Sequence, residues 1–378
     1  MSDLKEHVRS LAAQYFNEVV EIRRHLHANP ELSFEEFNTS AFIASRLKAF
    51  NIPFTDGYVK TGIVALIKGR NPDKRTIALR ADIDALPIKE ENKVPYCSTN
   101  PGVMHACGHD VHTSSLIGTA KILNELRNEF EGTVKLIFQP GEEKLPGGAS
   151  LMIKEGVLEN PRPKSILAQH VFTTMEAGKA GFRSGMYMAS TDELYVTVKG
   201  KGGHAAMSGT YISPLLITSE ILLELNKEFM LTPQKDSIPT VLAFGRMIGN
   251  GVTNVIPNEV QLEGTFRTMN EEWRKEAHVK MKNIAEGIAK KWGGTCDFNI
   301  AAGYPLLTND AQTTMRAKES AIDYLGTENV EDLDLRMTGE DFSYYTQHIP
   351  ACFYRLGTAN KSKGITSGVH TSTFDIDE

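Results

Sequence analysis

The sequence predicts an α/β protein: a large domain with a mixed sheet flanked by helices, and a smaller α+β domain inserted into it. Short apolar runs of strand length alternate with helical repeats over the first part of the chain. Past about Gly185 the pattern changes to strands with one solvated face and two long amphipathic helices. The first style then returns near the end. At 378 residues the chain also exceeds the roughly 250–300 residues beyond which one core stops growing.

The elements follow in order. Leu4, Val8, Leu11, Tyr15, Val19 and Ile22 recur on one side of a helix over residues 4–27, which Pro30 ends. Residues 40–50 read as a second helix, and 62–67 and 76–80 as buried strands. Leu116, Ala120, Leu123 and Leu126 mark a helix over 114–126, followed by strands at 133–138 and 165–168. Leu194, Val196 and Val198 alternate with polar partners. A helix over 213–229 and strands over 240–247 and 260–269 come next. A long helix over 271–292 carries Trp273, Ala277, Met281, Ile284, Ile288 and Trp292, and Gly293-Gly294 stops it. A strand near 297–301 completes the inserted part. The last expected strand is 351–356, followed by the segment Val369-His370-Thr371. These patterns place one domain at 1–186 with 304–378 and the other at 187–303.

The net charge of −6 argues against broad electrostatic binding to nucleic acid or anionic membrane. No apolar run reaches the ~18 residues of a membrane span. The opening Met-Ser-Asp-Leu-Lys-Glu lacks the zones of a signal peptide, so a cytoplasmic location is expected. Cys97, Cys107, Cys296 and Cys352 are scattered and suggest no disulfide framework.

Cys107 stands apart because of its neighbours. Met104-His105-Ala106-Cys107-Gly108-His109-Asp110-Val111-His112 puts a thiol and three imidazoles close together, and Gln139-Pro140-Gly141-Glu142-Glu143 follows an apolar run. These are ligands for a first-row metal plus a carboxylate to serve as base, which points to metal-assisted hydrolysis. The ionisable residues also cluster where strands are expected to end: Asp82 and Asp84 after 76–80, Glu142 and Glu143 after 133–138, His170 after 165–168. Ligands of open α/β sheets bind outside the carboxyl ends of strands. Cys107 and His109, two apart, do not share a helix face, so a loop before the helix at 114 would aim both inward. Each feature alone has a plainer reading: a buried thiol, a solvated acid pair, a satisfied core histidine. The combination does not.

Several stretches now show a resemblance. Arg24-His25-Leu26-His27 with Pro30-Glu31-Leu32, residues 79–87, 104–112, 138–143, 200–207, Asn254-Val255-Ile256-Pro257, Gly264-Thr265-Phe266-Arg267, Gly339-Glu340-Asp341-Phe342 and 370–378 look like the metal-dependent aminoacylase/carboxypeptidase family. The closest resemblance is to its amidohydrolase branch of hippurate hydrolases, N-acetyl-diaminopimelate deacetylases and auxin-conjugate hydrolases. The matches run in order from near residue 20 to the end. The resemblance implies two divalent metal ions, zinc or else manganese, cobalt or nickel. It implies Cys107 as a bridging thiolate, His109, Glu143, His170 and His370 as the other ligands, and Glu142 as general base. It makes Asp82 and Asp84 groups that orient ligands from behind, Asp84 the stronger candidate, with His105, Asp110 and His112 close by but not ligands. It has His204 steady the oxyanion, from the same chain or a partner subunit, and Asn254 and Arg267 hold the substrate. Arg267 suits a carboxylate because its fork binds both oxygens; its plainer reading is a strand residue in a salt bridge.

The implied activity is hydrolysis of the amide of an N-acyl amino acid, the acyl group acetyl or aromatic. The alternative is a metallopeptidase using the same dinuclear site. A non-catalytic metal-binding protein is disfavoured because every implied ligand and Glu142 are present. The domain at 187–303 would be a lid, and a homodimer or higher oligomer formed through it is the expected assembly. The sequence departs from the family at Ser208-Gly209-Thr210-Tyr211, where the branch usually has proline and histidine, and the family pattern carries a further helix after the segment that here ends at Glu378.

Overall fold

The computed structural model describes residues 2–231 and 238–378. In chain order its elements begin with α1 (Ser2–Ala28), α2 (Phe37–Ala49), β1 (Phe54–Tyr58), β2 (Gly62–Lys68), β3 (Thr76–Asp82), α3 (His109–Glu125), β4 (Thr133–Gln139) and α4 (Gly148–Lys154). Then come β5 (Ser165–Glu176), β6 (Ala180–Phe182), β7 (Gly185–Met188), β8 (Ser190–Lys199), β9 (Gly203–His204), α5 (Pro214–Asn226), β10 (Thr240–Ile248), β11 (Val255–Ile256) and β12 (Glu259–Thr268). The chain finishes with α6 (Glu271–Lys291), β13 (Thr295–Ala302), β14 (Leu307–Asn309), α7 (Ala311–Leu325), β15 (Val330–Asp332), α8 (Ser343–Thr346) and β16 (Ala351–Ala359). No helix among the described residues is long and apolar enough to cross a membrane.

The chain forms two compact units. One comprises Met1–Gly185, Thr308–Asp334 and Asp341–Glu378; the other comprises Met186–Leu307 with Leu335–Glu340. The first is built on an eight-stranded mixed sheet in the order β1-β2-β4-β3-β5-β16-β6-β15. β4, β3, β5 and β16 run parallel at its centre, while β1 and β2 run antiparallel on one side. Every residue of β4 is buried, as expected for a strand covered on both faces. Even Lys135 fits there: its Nζ donates to the carbonyls of Val157 (2.9 Å) and Glu159 (2.7 Å), and burial lowers its pKa to about 8. The core joins Ile22 and Leu26 of α1, Ile43 and Leu47 of α2, Ile117 of α3, Ile63 of β2 and Phe138 of β4.

The second unit holds an antiparallel sheet in the order β10-β12-β8-β13. β8 buries Leu194, Val196 and Val198 and exposes Glu193, Tyr195 and Lys199. Those inward residues pack with Ile217, Ile221 and Leu225 of α5 and Ala277, Met281, Ala285 and Ala289 of α6. Ser213 caps α5 and Asn270 caps α6 through side-chain oxygens.

Three local expectations need correction. α3 starts at His109, not near Ser114, so His109 and His112 belong to the helix and only Cys107 precedes it. The strand expected at 165–168 runs on to Glu176, so His170 lies within β5. Asp82 is the last residue of β3 rather than a follower of it. Helix α7, which no expectation named, carries only one buried residue, Thr314; its half-exposed Ala317, Ala321 and Leu325 pack against Ala180, Phe182 and Cys352.

Candidate active site and metal centre

The site lies in the first unit, where β3, β4 and β5 and the start of α3 converge. Gly108 precedes α3 with φ +82°, and a Cβ there would meet Val171 of β5 at 2.6 Å. Only glycine allows both the left-handed turn and the close approach. That turn puts Cys107 and His109 on the same side of the chain. β4 ends at Gln139, and the Pro140-Gly141 turn delivers Glu142 and Glu143. His370, at φ +61°, is tied to the Cys107 loop by its backbone N–H, which donates to Ala106 O at 2.7 Å.

The five expected ligands come together. Cys107 Sγ lies 3.4 Å from His170 Nε2 and 3.3 Å from His370 Nε2. Glu143 Oε1 lies 3.2 Å from His370 Nε2 and 3.8 Å from His109 Nε2. Within the cluster, Cys107 with His109 and His170, Cys107 with Glu143 and His370, and His109 with Glu142 and Glu143 form three groups whose donor atoms lie within 4.8 Å of one another. His109 Nε2 is buried without a hydrogen-bond partner, and Glu143 Oε1, also buried, has only the contact to His370. Buried polar atoms left this way ask for an explanation, and a cation between them supplies one.

The imidazoles are pre-set for this. His109 Nδ1 donates to Asp84, at 2.9 Å to its carbonyl and 3.1 Å to Oδ1, so Nε2 is the nitrogen that offers a lone pair once the ring is neutral. His170 Nδ1 donates to Val171 O at 2.8 Å, with the same result. His112 is different. Its Nε2 accepts from Val171 N at 2.9 Å and its Nδ1 donates to Asp82 Oδ1 at 2.6 Å, so both nitrogens are occupied. His105 is buried with neither nitrogen partnered, and burial lowers its pKa to about 4.

Charges follow from burial and neighbours. Burial opposes protonation of His109, but Asp82, Asp84 and Glu143 outweigh it and raise its pKa to about 10. Burial and then the charges of Glu143 and Glu142 push the Cys107 thiol well up. Burial and then Arg355 hold His170 well below the usual imidazole range. Bringing a cation to this cluster therefore requires Cys107 to give up a proton and His109 to become neutral.

Asp84 holds two candidate ligands at once. Its carboxylate takes His109 Nδ1, the backbone N–H of Glu143 (3.0 Å) and Ser33 Oγ (2.7 Å). Asp82 instead faces His112 and the Arg80 guanidinium (2.6 Å). Arg80 also donates to Asp341 Oδ1 (2.7 Å) and Gln139 Oε1 (2.9 Å). Gln139 and the backbone of Ala149 donate to Asp341 as well, and Asp341 N donates to Glu142 Oε1 at 3.3 Å. Asp110 is tied to α1 through Arg23 Nε and His27 Nδ1, both at 2.8 Å. Sequence reasoning assigned no role to Arg80, Gln139, Asp341, Ser33 or Glu36. A signal did exist for Arg80, a charge inside an otherwise apolar strand run.

His204, Asn254 and Arg267 belong to the second unit. His204 is exposed; it pairs with Val255 across β9 and β11, and its Nδ1 accepts from Ala206 N at 3.2 Å. Ala205 N donates to Asn254 O, so these two segments are held side by side. Arg267 lies in β12, half-buried, with Nη1 donating to Met337 O at 3.0 Å. Its expected plain alternative, a salt bridge, has no counterpart among the described residues.

A mixed α/β sheet, a thiol and imidazoles aimed at one point, and paired carboxylates at a strand end define the class: a metal-assisted hydrolase. Residues 78–378 match the family described as Peptidase family M20/M25/M40, and the chain belongs to that family of hydrolases acting on amide bonds. The N-acetylcysteine deacetylase of Bacillus subtilis is 37% identical over 96% of this chain and 93% of its own length. The N-acyl-L-amino acid amidohydrolase of Geobacillus stearothermophilus is 38% identical over 81% of this chain and 82% of its own. Among solved structures, the Bacillus subtilis YXEP protein, described as a dinuclear metal-binding peptidase of the M20 family, superposes with a TM-score of 0.81. It is 35% identical, covering 97% of this chain and 94% of that one.

Proposed function

We propose that this protein removes the acyl group from N-acyl amino acids through a dinuclear site held by Cys107, His109, Glu143, His170 and His370. The observation that carries the reading is the Cys107 thiol flanked by two imidazole Nε2 atoms, with Glu142 and Glu143 in the same buried cluster. The donor set mixes thiolate, imidazole and carboxylate, which suits zinc and also manganese, cobalt or nickel. Such cations, when bound, acidify a water and polarise the scissile carbonyl.

The chain's own residues do the rest. Glu142, beside the ligand Glu143 and hydrogen-bonded by Asp341 N, takes the proton of the attacking water and passes it to the leaving nitrogen. Asp84 keeps His109 in the tautomer that offers Nε2 and fixes the backbone of Glu143. His204 steadies the developing oxyanion, and Asn254 and Arg267 recognise the substrate's carboxylate end. The products are a carboxylic acid and a free amino acid. A homodimer or higher oligomer through the second unit, and a cytoplasmic location, belong to the same reading.

A second reading, a peptidase on dipeptides or C-terminal residues, is favoured by the 35%-identical M20 peptidase. Hydrolysis of N-acetyl and N-benzoyl amino acids compared with dipeptides separates the two. A preference for dipeptides of tenfold or more in kcat/KM sinks the deacylase reading. For the site itself, Glu142→Gln is expected to reduce turnover by about 10²–10⁴-fold with bound metal unchanged.

A further inference from the structure

We propose that Glu36 is a positioning residue for this reaction, its buried carboxylate locking the Pro140-Gly141 turn that presents Glu142 and Glu143. The inference rests on the reading of Glu142 as the base.

Glu36 occupies the N-cap position of α2, yet its side chain makes no cap hydrogen bond. It turns away from its own helix. Oε1 accepts from Gly141 N at 2.9 Å and from Phe34 N at 2.8 Å, and Oε2 accepts from Thr61 Oγ1 at 2.7 Å. The residue is fully buried. An acid that forgoes its cap for a loop 105 positions away is used for that loop.

The loop has little other freedom. The carbonyl of Gly141 accepts from Gly148 N at 2.9 Å. Gly141 sits at φ +63°, with the Phe34 ring only 2.3 Å from where a Cβ would be. Two residues on, beyond Glu142, Glu143 N is held by Asp84 Oδ2. Two buried carboxylates from separate elements therefore grip the backbone on either side of Glu142. The carboxylate at position 36 is held there against its environment: burial and the nearby charge of Asp84 raise its pKa to about 7. Three donors arrayed around it offset part of that cost. Releasing Gly141 N lets the turn pivot about the Glu143 anchor, and the residue that swings is Glu142. A misplacement of about 1 Å at a reacting group costs on the order of 10²-fold.

The test compares Glu36→Asp, Glu36→Gln, Thr61→Val and Glu142→Gln in zinc-loaded protein, with the N-acyl amino acid that the wild type hydrolyses fastest. The readouts are kcat, KM, bound zinc by elemental analysis, and Tm. Glu36→Asp keeps the charge but shortens the reach. It is expected to lower kcat by roughly 10–100-fold, with KM within about twofold and zinc content unchanged. Glu36→Gln retains an acceptor for Gly141 N and is expected to restore most of kcat. Thr61→Val removes only the Oε2 contact, and is expected to lower Tm without lowering kcat. Wild-type kcat in Glu36→Asp beside an inactive Glu142→Gln overturns the inference alone. So does a Thr61→Val variant that loses as much kcat as Glu36→Asp, which reduces Glu36 to packing. An active Glu142→Gln overturns the base assignment and this inference with it.

Discussion

Asp84→Asn should weaken metal binding by about two orders of magnitude without unfolding the protein. One buried carboxylate accepts from His109 Nδ1, Glu143 N and Ser33 Oγ, and the first two donors belong to candidate ligands. Asparagine preserves the shape but replaces one acceptor oxygen with an amide that donates. The Oδ2 position faces two donors and Oδ1 faces one, so whichever way the amide turns, at least one contact becomes donor against donor. Loss of a group that orients a ligand costs about 10–100-fold in metal affinity. Because two candidate ligands are held by this one group, the upper end applies, about 100-fold or near 2.7 kcal/mol. Competition for zinc against a chromophoric chelator measures this directly, with thermal unfolding of the metal-free protein as the control. Wild-type zinc affinity in Asp84→Asn would refute the idea that Asp84 aims His109 and Glu143.

Three further outcomes are expected. Cys107→Ala should lose most bound metal on dialysis, since the thiol lies beside both His170 and His370 and belongs to the cluster of each; metal per chain by elemental analysis decides it, and full retention rejects the bridge. His27 should make stability pH-dependent: burial opposes its charge, but Asp110 and Glu90 prevail and raise its pKa to about 9 from 6.5. A raised imidazole pKa means the stabilisation is complete below pH 6.5 and is lost as pH climbs to 9, on the order of 3 kcal/mol. Urea unfolding across that window should show the decline in wild type and a flatter profile in His27→Gln. Finally, Arg267→Ala should lower kcat/KM for N-acyl amino acids by at least tenfold, about 1.4 kcal/mol or more, and affect the matching N-acyl amides much less; an equal loss on both would remove the carboxylate from its role.

The candidate ligand cluster was legible because metal chemistry demands particular side chains. A thiol, imidazoles and acid pairs following apolar runs stand out whatever the fold. The element boundaries that went astray did so where the site begins. His109, Asp110, His112, Thr113 and Ser114 are all buried yet polar, so apolar periodicity began only at Leu116 and placed the helix five residues late. Gln169 and His170 hid the continuation of β5 in the same way. Hydrophobicity reports burial only where burial is apolar; a catalytic core is where that equivalence fails.

Composition and patterning along the chain were enough to define a two-part α/β protein, its alternating layers, and the residues able to bind a metal, because those depend on local periodicity and on intrinsic side-chain chemistry. Which nitrogen of His109 is offered, that Asp84 rather than Asp82 touches His109 and Glu143 together, and that Glu36 and Asp341 bear on the turn carrying Glu142 were decided only by tertiary structure. Those contacts join residues 25 to 199 positions apart. Hydrogen bonds of that span leave no trace in neighbouring residues, since their partners are brought within reach only when the sheet assembles.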